Sequence, residues 1–238
     1  EGNLPGRKGS VPQAVLPQAN TTRHRTGNPS SGLWQPWFHR EFRALVLVYV
    51  ANGMASAIPA TLVIFYIRDR LALPQWEGAF FFFYFVAAAL SVPLWMRLVP
   101  RLGLVRTWGL GMALATGAFV FAAWLGAGDG LGFAAVCIVT GVALGADMIA
   151  PAALLTGVIQ RAGVGQQSEG VWFGWWSLCT KLNLALAAGL ALPLLQMLGY
   201  QSGSRTPQAL QALVIIYALV PCAIKSIALL ILGLTRWH

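Results

Sequence analysis

The sequence has few charged residues and few of the residues that build catalytic or metal sites. Of its 238 residues only 10% are charged and 57% are hydrophobic, and the mean hydropathy is +0.66. Soluble domains carry about 25% charged residues, so the composition predicts an integral membrane protein. The three cysteines lie in three different apolar segments without metal-ligand spacing, and the three histidines lie outside those segments. The sequence shows no Ser/His/Asp arrangement, HExxH motif or Walker loop, so we expect no enzyme, no metal site and no cofactor.

The net charge of +9 does not point to a nucleic-acid partner. The basic residues flank apolar segments and form no stripe, which is the distribution of a membrane protein. Residues 1–38 are rich in Pro, Gly, Ser, Thr, Asn and Gln, and we predict a disordered basic cytoplasmic tail or inter-domain loop. The first residue is Glu and no signal peptide follows it, so we expect the chain to belong to a longer protein.

Residues 39–238 are predicted to form an all-α bundle of six transmembrane helices. Each apolar segment is near or above the roughly 20 residues that span a bilayer. Short connections with glycine, proline and charged residues separate the segments. The six predicted spans are 43–67, 76–98, 104–127, 131–159, 170–199 and 208–234.

The basic residues between the spans predict the orientation of the chain. The connection between the second and third spans is flanked by Arg97, Arg101 and Arg106, whereas the connection between the third and fourth has no Lys or Arg. Because cytoplasmic loops carry the excess of Lys and Arg, both termini are predicted to be cytoplasmic, in a multi-pass protein of the cell (inner) membrane.

Several polar residues lie inside the predicted spans. Tyr49, Asn52 and Ser56 share one face of the first span at helical spacing, and Tyr84 lies on the second. A tyrosine combines a stacking face with a hydroxyl, which suits either sugar recognition or plain packing. Gly141 to Gly145 form a GxxxG pattern, which favours close helix contact.

Two charged residues on consecutive spans give the sharpest site hypothesis. Lys181 lies about a third of the way into the fifth span, on a stripe with Ser177, and Asp147 lies near the middle of the fourth. A lysine at such depth costs about 3 kcal/mol on insertion scales, and an acid and a base offset each other's desolvation. We expect Asp147 and Lys181 to meet in, or border, a polar cavity. The alternatives are snorkelling of Lys181 or a purely structural pair, and for Lys225 snorkelling is as acceptable as function.

A set of motifs spread over roughly residues 40–238 resembles a known family. The motifs are Asn52-Gly53, Phe65-Tyr66-Ile67-Arg68-Asp69, the basic loop 97–107, Gly145-Ala146-Asp147 with Pro151, Gly165-Gln166-Gln167-Ser168-Glu169-Gly170, Phe173-Gly174, Thr180-Lys181 and Leu198-Gly199-Tyr200. They are similar to the C-terminal half of the glycoside–pentoside–hexuronide:cation symporters, the melibiose-carrier branch of the major facilitator superfamily. Where many members have aspartates at the end of the fourth of these helices, this chain has Gly157 to Arg161.

The resemblance implies the C-terminal six-helix bundle of a twelve-helix transporter that couples sugar uptake to Na⁺ or H⁺ by alternating access. Lys181 matches the family's lysine near the cation and sugar sites, and Asp147 would be its partner or relay. The implied partners are a sugar-like small molecule, membrane lipid, and the missing N-terminal half or a second copy. Two alternatives stay open: a carrier of lysolipids or other amphiphiles on the same scaffold, and a non-transporting scaffold subunit. The expected pathway residues are Lys181, Asp147, Tyr49, Asn52, Ser56, Tyr84 and Ser177.

Overall fold

A computed structural model describes residue 2 and residues 32–163, 166–204, 206–235 and 237. The remaining residues, which include most of the predicted tail, lie outside the described part, so the disordered tail stays a prediction. The described chain is helical and contains six helices long and apolar enough to cross a membrane. Its helices are α1 (Gln35–Phe38), α2 (Arg40–Phe65), α3 (Glu77–Leu102), α4 (Leu104–Ala122), α5 (Gly130–Arg161), α6 (Gln166–Met197), α7 (Pro207–Val214) and α8 (Val220–Leu234).

The prediction of six spans is confirmed, with corrections at the ends. The first span was predicted to stop before Arg68, but a π-helical turn at Tyr66–Arg70 continues it. The backbone N–H of Leu71 closes this turn on the carbonyl of Tyr66, and the carboxylate of Asp69 accepts from the hydroxyl of Tyr200. A second π turn at Ile215–Leu219 joins α7 to α8, so these two helices form the sixth span.

Glycines allow α5 to lie directly against α3. A Cβ added at Gly141 would come within 2.3 Å of the carbonyl oxygen of Tyr84, and one added at Gly145 within 2.1 Å of the hydroxyl oxygen of Ser91. No side chain fits in that space, which is the reason for glycine at both ends of the GxxxG pattern. The expected role of this pattern in helix packing is confirmed.

The bundle is organised in two layers of apolar core. At the end of the bundle where α2 begins and α8 ends, Arg161 pairs with Glu41. The core there is built around Trp108 and Trp172. The core at the opposite end is built around Tyr66 and the other buried apolar residues that pack near it. Buried residues of α2, α4, α5 and α6 belong to both cores, and the residues between the cores lie near the middle of these spans.

Candidate functional site

A buried lysine lies between the two apolar cores. The side chain of Lys225, on α8, is 1% exposed. Its ammonium donates to Oδ1 of Asn52 at 2.6 Å and to the hydroxyl oxygen of Ser56 at 3.1 Å. The carboxylate of Asp147 lies next to it, with 3.9 Å between Nζ of Lys225 and Oδ2 of Asp147. Lys225 is therefore a member of a polar site inside the bundle, and of the two alternatives left open for it, snorkelling is excluded by its burial.

The other carboxylate oxygen of Asp147 is held by two neutral donors. Its Oδ1 accepts from Nδ2 of Asn52 at 3.0 Å and from the indole N–H of Trp108 at 2.7 Å. Asn52 therefore bridges the two charged groups, with its amide oxygen on Lys225 and its amide nitrogen on Asp147. A charge in the membrane interior is tolerated when it is paired and hydrogen-bonded. The four residues meet this condition as a unit, which we call the central cluster: Asn52, Trp108, Asp147 and Lys225.

Four different spans build the central cluster. Asn52 lies on α2, Trp108 on α4, Asp147 on α5 and Lys225 on α8. The α8 helix packs against both α2 and α4, and this brings a residue near the end of the chain to the first span. Because each member comes from a different helix, any movement of one of these helices changes the hydrogen bonds of the cluster.

The central cluster opens onto a cavity of about 420 Å³. Pockets for small molecules have about 300–1,000 Å³, so the space suits a small solute or part of a larger one. The polar part of the wall comes from Ser56, Thr140, Asp147 and Lys225. Most of the remaining wall is apolar, with aromatic rings from Phe80, Phe81, Tyr84, Phe85, Phe119 and Tyr217.

The structure brings together four of the seven predicted pathway residues. Asp147, Ser56 and Tyr84 line the cavity, and Asn52 holds the charged pair. Tyr49 lies elsewhere: its hydroxyl is 2.8 Å from that of Thr180, and its ring stacks on Trp176.

The expected meeting of Lys181 with Asp147 is wrong. Lys181 and Ser177 are exposed on α6, and the ammonium beside Asp147 belongs to Lys225. The α6 helix packs against α2 through a face that includes the buried residues Cys179 and Asn183. Lys181 lies two positions from each of these, about 200° around the helix, so it faces away from the cluster. Its role in a pathway stays a prediction.

Sequence reasoning missed Lys225 and Trp108 as members of the site. The signal for Lys225 was present, because it aligns with Tyr217 and Pro221 on one face of the sixth span. Trp108 gave no comparable signal. It lies near the start of the third span, where an aromatic residue is commonplace at the membrane interface.

A second polar contact links two loops at the opposite end. Asp69 is buried, and its Oδ2 accepts from the hydroxyl of Tyr200 and from the backbone N–H of Gly203 at 3.2 Å. Burial raises the pKa of Tyr200 above its ordinary value, and the hydrogen bond to Asp69 raises this pKa further. The phenol therefore stays protonated and holds the connection after α6 against the end of the first span.

Comparison with known proteins gives one family. A sequence profile described as "MFS/sugar transport protein" matches residues 12–236. A search of curated proteins found no match.

Proposed function

The chain belongs to the MFS/sugar transport protein family, and from this premise we propose that it is half of a cation-coupled secondary transporter. It would contribute the C-terminal six helices and one wall of a central pathway, and the other half would come from the rest of the protein or a second copy. Transport would proceed by alternating access, with one bundle rocking against the other around a site at the middle of the membrane.

The observation that carries this proposal is a buried charged pair that opens onto a cavity. A buried ion pair is weak evidence for stability, because well-packed apolar residues in its place are often neutral or stabilising. Asp147 and Lys225 also lie in the wall of a cavity that is large enough for a small solute. Ionisable residues inside the membrane commonly mark ion and substrate pathways.

The cavity wall favours a second candidate solute over a free sugar. A sugar needs many hydrogen-bond partners for its hydroxyl groups, but the polar part of this wall is confined to a few residues. Thr140, one of them, already donates its hydroxyl to the carbonyl of Val136 at 2.7 Å. The aromatic remainder suits an apolar body, so an amphiphile with one polar end fits this half better.

Uptake into liposomes tests the proposed function. The protein from its native membrane would be reconstituted and offered a radiolabelled disaccharide or a radiolabelled lysophospholipid, with an inward Na⁺ gradient, an inward H⁺ gradient, or neither. We expect one gradient to drive accumulation of one solute. The Glu77→Gln variant, which removes a surface partner of Arg68, is the matched control and should behave like the unchanged protein. Absence of accumulation for both solutes under both gradients would contradict the proposal and favour a scaffold role.

A further inference from the structure

The central cluster already contains a cation, the ammonium of Lys225. Two of its three N–H groups are used on Asn52 and Ser56, and the carboxylate of Asp147 faces it at 3.9 Å. Oδ1 of Asp147 accepts two hydrogen bonds, which leaves Oδ2 as the oxygen free to take a proton. The distance from Oδ2 to Nζ exceeds that of a hydrogen bond, so the attraction between the two charges is not accompanied by a direct bond.

We propose that the central cluster is a coupling-ion site, that its ion is H⁺ bound at Oδ2 of Asp147, and that Na⁺ does not bind there. The proposal rests on the proposed function, because a coupling ion has a role only in a transporter. It adds the identity of the ion, the atom that binds it and the charge of the solute.

A metal cation is disfavoured by the groups around Asp147. Na⁺ on this carboxylate would lie close to the ammonium of Lys225, and two like charges repel each other strongly in a partly desolvated site. The oxygens of Asn52 and Ser56, the nearest additional ligands, already accept from Lys225. A proton needs only one lone pair and neutralises the carboxylate without a coordination shell.

Asp147 supplies the one carboxyl group of the central cluster, and Lys225 supplies its ammonium. The other titratable groups facing it are Tyr84 on α3, Cys137 on α5, Tyr217 in the second π turn and Cys222 on α8. Phenols and thiols titrate near pH 10 and 8.5 in water, so they are neutral in the acidic range where carboxyl groups in water take up a proton. From α2 and α4 the cluster is faced by Asn52, Ser56 and Trp108, which do not titrate.

Protonation of Asp147 changes the charge of the cavity wall. When H⁺ binds the carboxylate, the acid becomes neutral and the ammonium of Lys225 keeps its charge, so the pair goes from net zero to net +1. Lys225 lines the cavity, and its charge is then available to an anionic group of the solute. The complete complex holds one added proton and one added anionic charge and is neutral again. The geometry therefore assigns the solute to compounds with an anionic group, and H⁺ and solute bind cooperatively.

Infrared difference spectroscopy tests the ion at Asp147. The reconstituted protein would be exposed to a step from alkaline to acidic buffer without Na⁺, and then to exchange of choline chloride for sodium chloride at constant pH. We expect the acidic step to produce the C=O band of a protonated carboxyl. The band should move on ¹³C-aspartate labelling, disappear in Asp147→Asn and persist in the control Glu77→Gln. A Na⁺-induced carboxylate change that Asp147→Asn removes, or the lack of any Asp147 band on acidification, would overturn the proposal.

A second variant keeps the test valid if Asp147→Asn does not fold. In Lys225→Gln the positive neighbour is gone, so the midpoint pH of the Asp147 band should shift upward relative to the unchanged protein. Lys225→Arg keeps the charge and should move the midpoint less. An unshifted midpoint in Lys225→Gln would overturn the assignment of Lys225 as the partner of Asp147.

Binding of octanesulfonate, an anion at all relevant pH values, tests the charge of the solute. Its affinity should rise as pH falls, with a limit of about tenfold per pH unit for one linked proton, and should become independent of pH in Asp147→Asn. Octyltrimethylammonium, of the same chain length and opposite charge, should not show this rise. Equal pH dependence of the two probes would overturn the anionic assignment. If Asp147 binds H⁺ as expected and no gradient drives uptake, the proton site stands, but the proposed function fails together with the coupling role that rests on it. Na⁺-driven uptake with no Asp147 band refutes the inference and leaves the proposed function standing.

Discussion

A double-mutant cycle at Asp147 and Lys225 measures how strongly these two residues of the central cluster interact in the folded protein. The single changes are Asp147→Asn and Lys225→Met, and the double variant carries both. Each single change leaves one charge buried without its partner. Lys225→Met also leaves the amide oxygen of Asn52 without the ammonium that donates to it at 2.6 Å. The double variant contains no unpaired charge, so we expect it to be more stable than the sum of the two single effects predicts.

The structure gives the expected magnitude of the coupling free energy between Asp147 and Lys225. Two unit charges 3.9 Å apart attract each other by about 4 kcal/mol at an effective dielectric constant of about 20. Breaking a buried pair by removing one partner costs about 3–5 kcal/mol. Asp147 is 17% exposed at its side chain, so some screening by water is expected. We therefore predict a coupling free energy of about 2–4 kcal/mol between the two sites.

Unfolding by sodium dodecyl sulfate in mixed micelles, followed by circular dichroism, gives the four free energies of unfolding. The matched control is the same cycle on Glu41 and Arg161, a pair 2.8 Å apart at the surface, with side chains 27% and 42% exposed. Surface pairs contribute about 0–1 kcal/mol. A coupling free energy at the central cluster no larger than that of the surface pair would refute the reasoning.

Two further predictions concern packing and the opposite end. Gly145→Ala should lower the free energy of unfolding by about 1–3 kcal/mol, because the new Cβ would lie 2.1 Å from the hydroxyl oxygen of Ser91. The control Gly174→Ala adds a Cβ in open space and should not lower it. Equal unfolding curves for the two variants would contradict the close contact. Tyr200→Phe removes the hydrogen bond to Asp69. Because the pKa of Tyr200 is raised in the folded state, the stability that this bond adds is complete below a pH of about 10 and declines as the pH rises further. The free energy of unfolding of both proteins, measured from neutral to alkaline pH, tests this. The difference between the unchanged protein and Tyr200→Phe should shrink at alkaline pH, and a difference that grows would contradict the prediction.

Much of the fold was predictable because bilayer thickness imposes long apolar segments. The start of the fourth span was predicted at residue 131 and lies at Gly130. The first span was predicted too short, since Arg68, Asp69 and Arg70 read as a polar connection. In the structure the side chain of Asp69 is satisfied by Tyr200, a contact between residues far apart in the chain that local sequence does not reveal.

The candidate site was only partly predictable, because the rotation of α6 is not encoded by its pattern. Small and apolar residues lie on every face of α6, so the stripe with Ser177 and Lys181 looked as suited to the interior as the face that includes Asn183. The structure buries Asn183 and exposes Lys181. The choice of Lys225 as the partner of Asp147 depends on α8 packing against α2 and α4. That arrangement follows from tertiary packing and not from the order of the spans.

The central claim, that Asp147 couples an ion to solute movement, is tested most directly by comparing two modes of transport in one variant. Reconstituted Asp147→Asn would be assayed for exchange of radiolabelled lysophospholipid at equal concentrations on both sides, and for accumulation of the same solute driven by an H⁺ gradient. The account predicts that exchange persists while gradient-driven accumulation is lost, because the pathway remains and the proton site is gone. Accumulation by Asp147→Asn at the level of the unchanged protein would contradict the account.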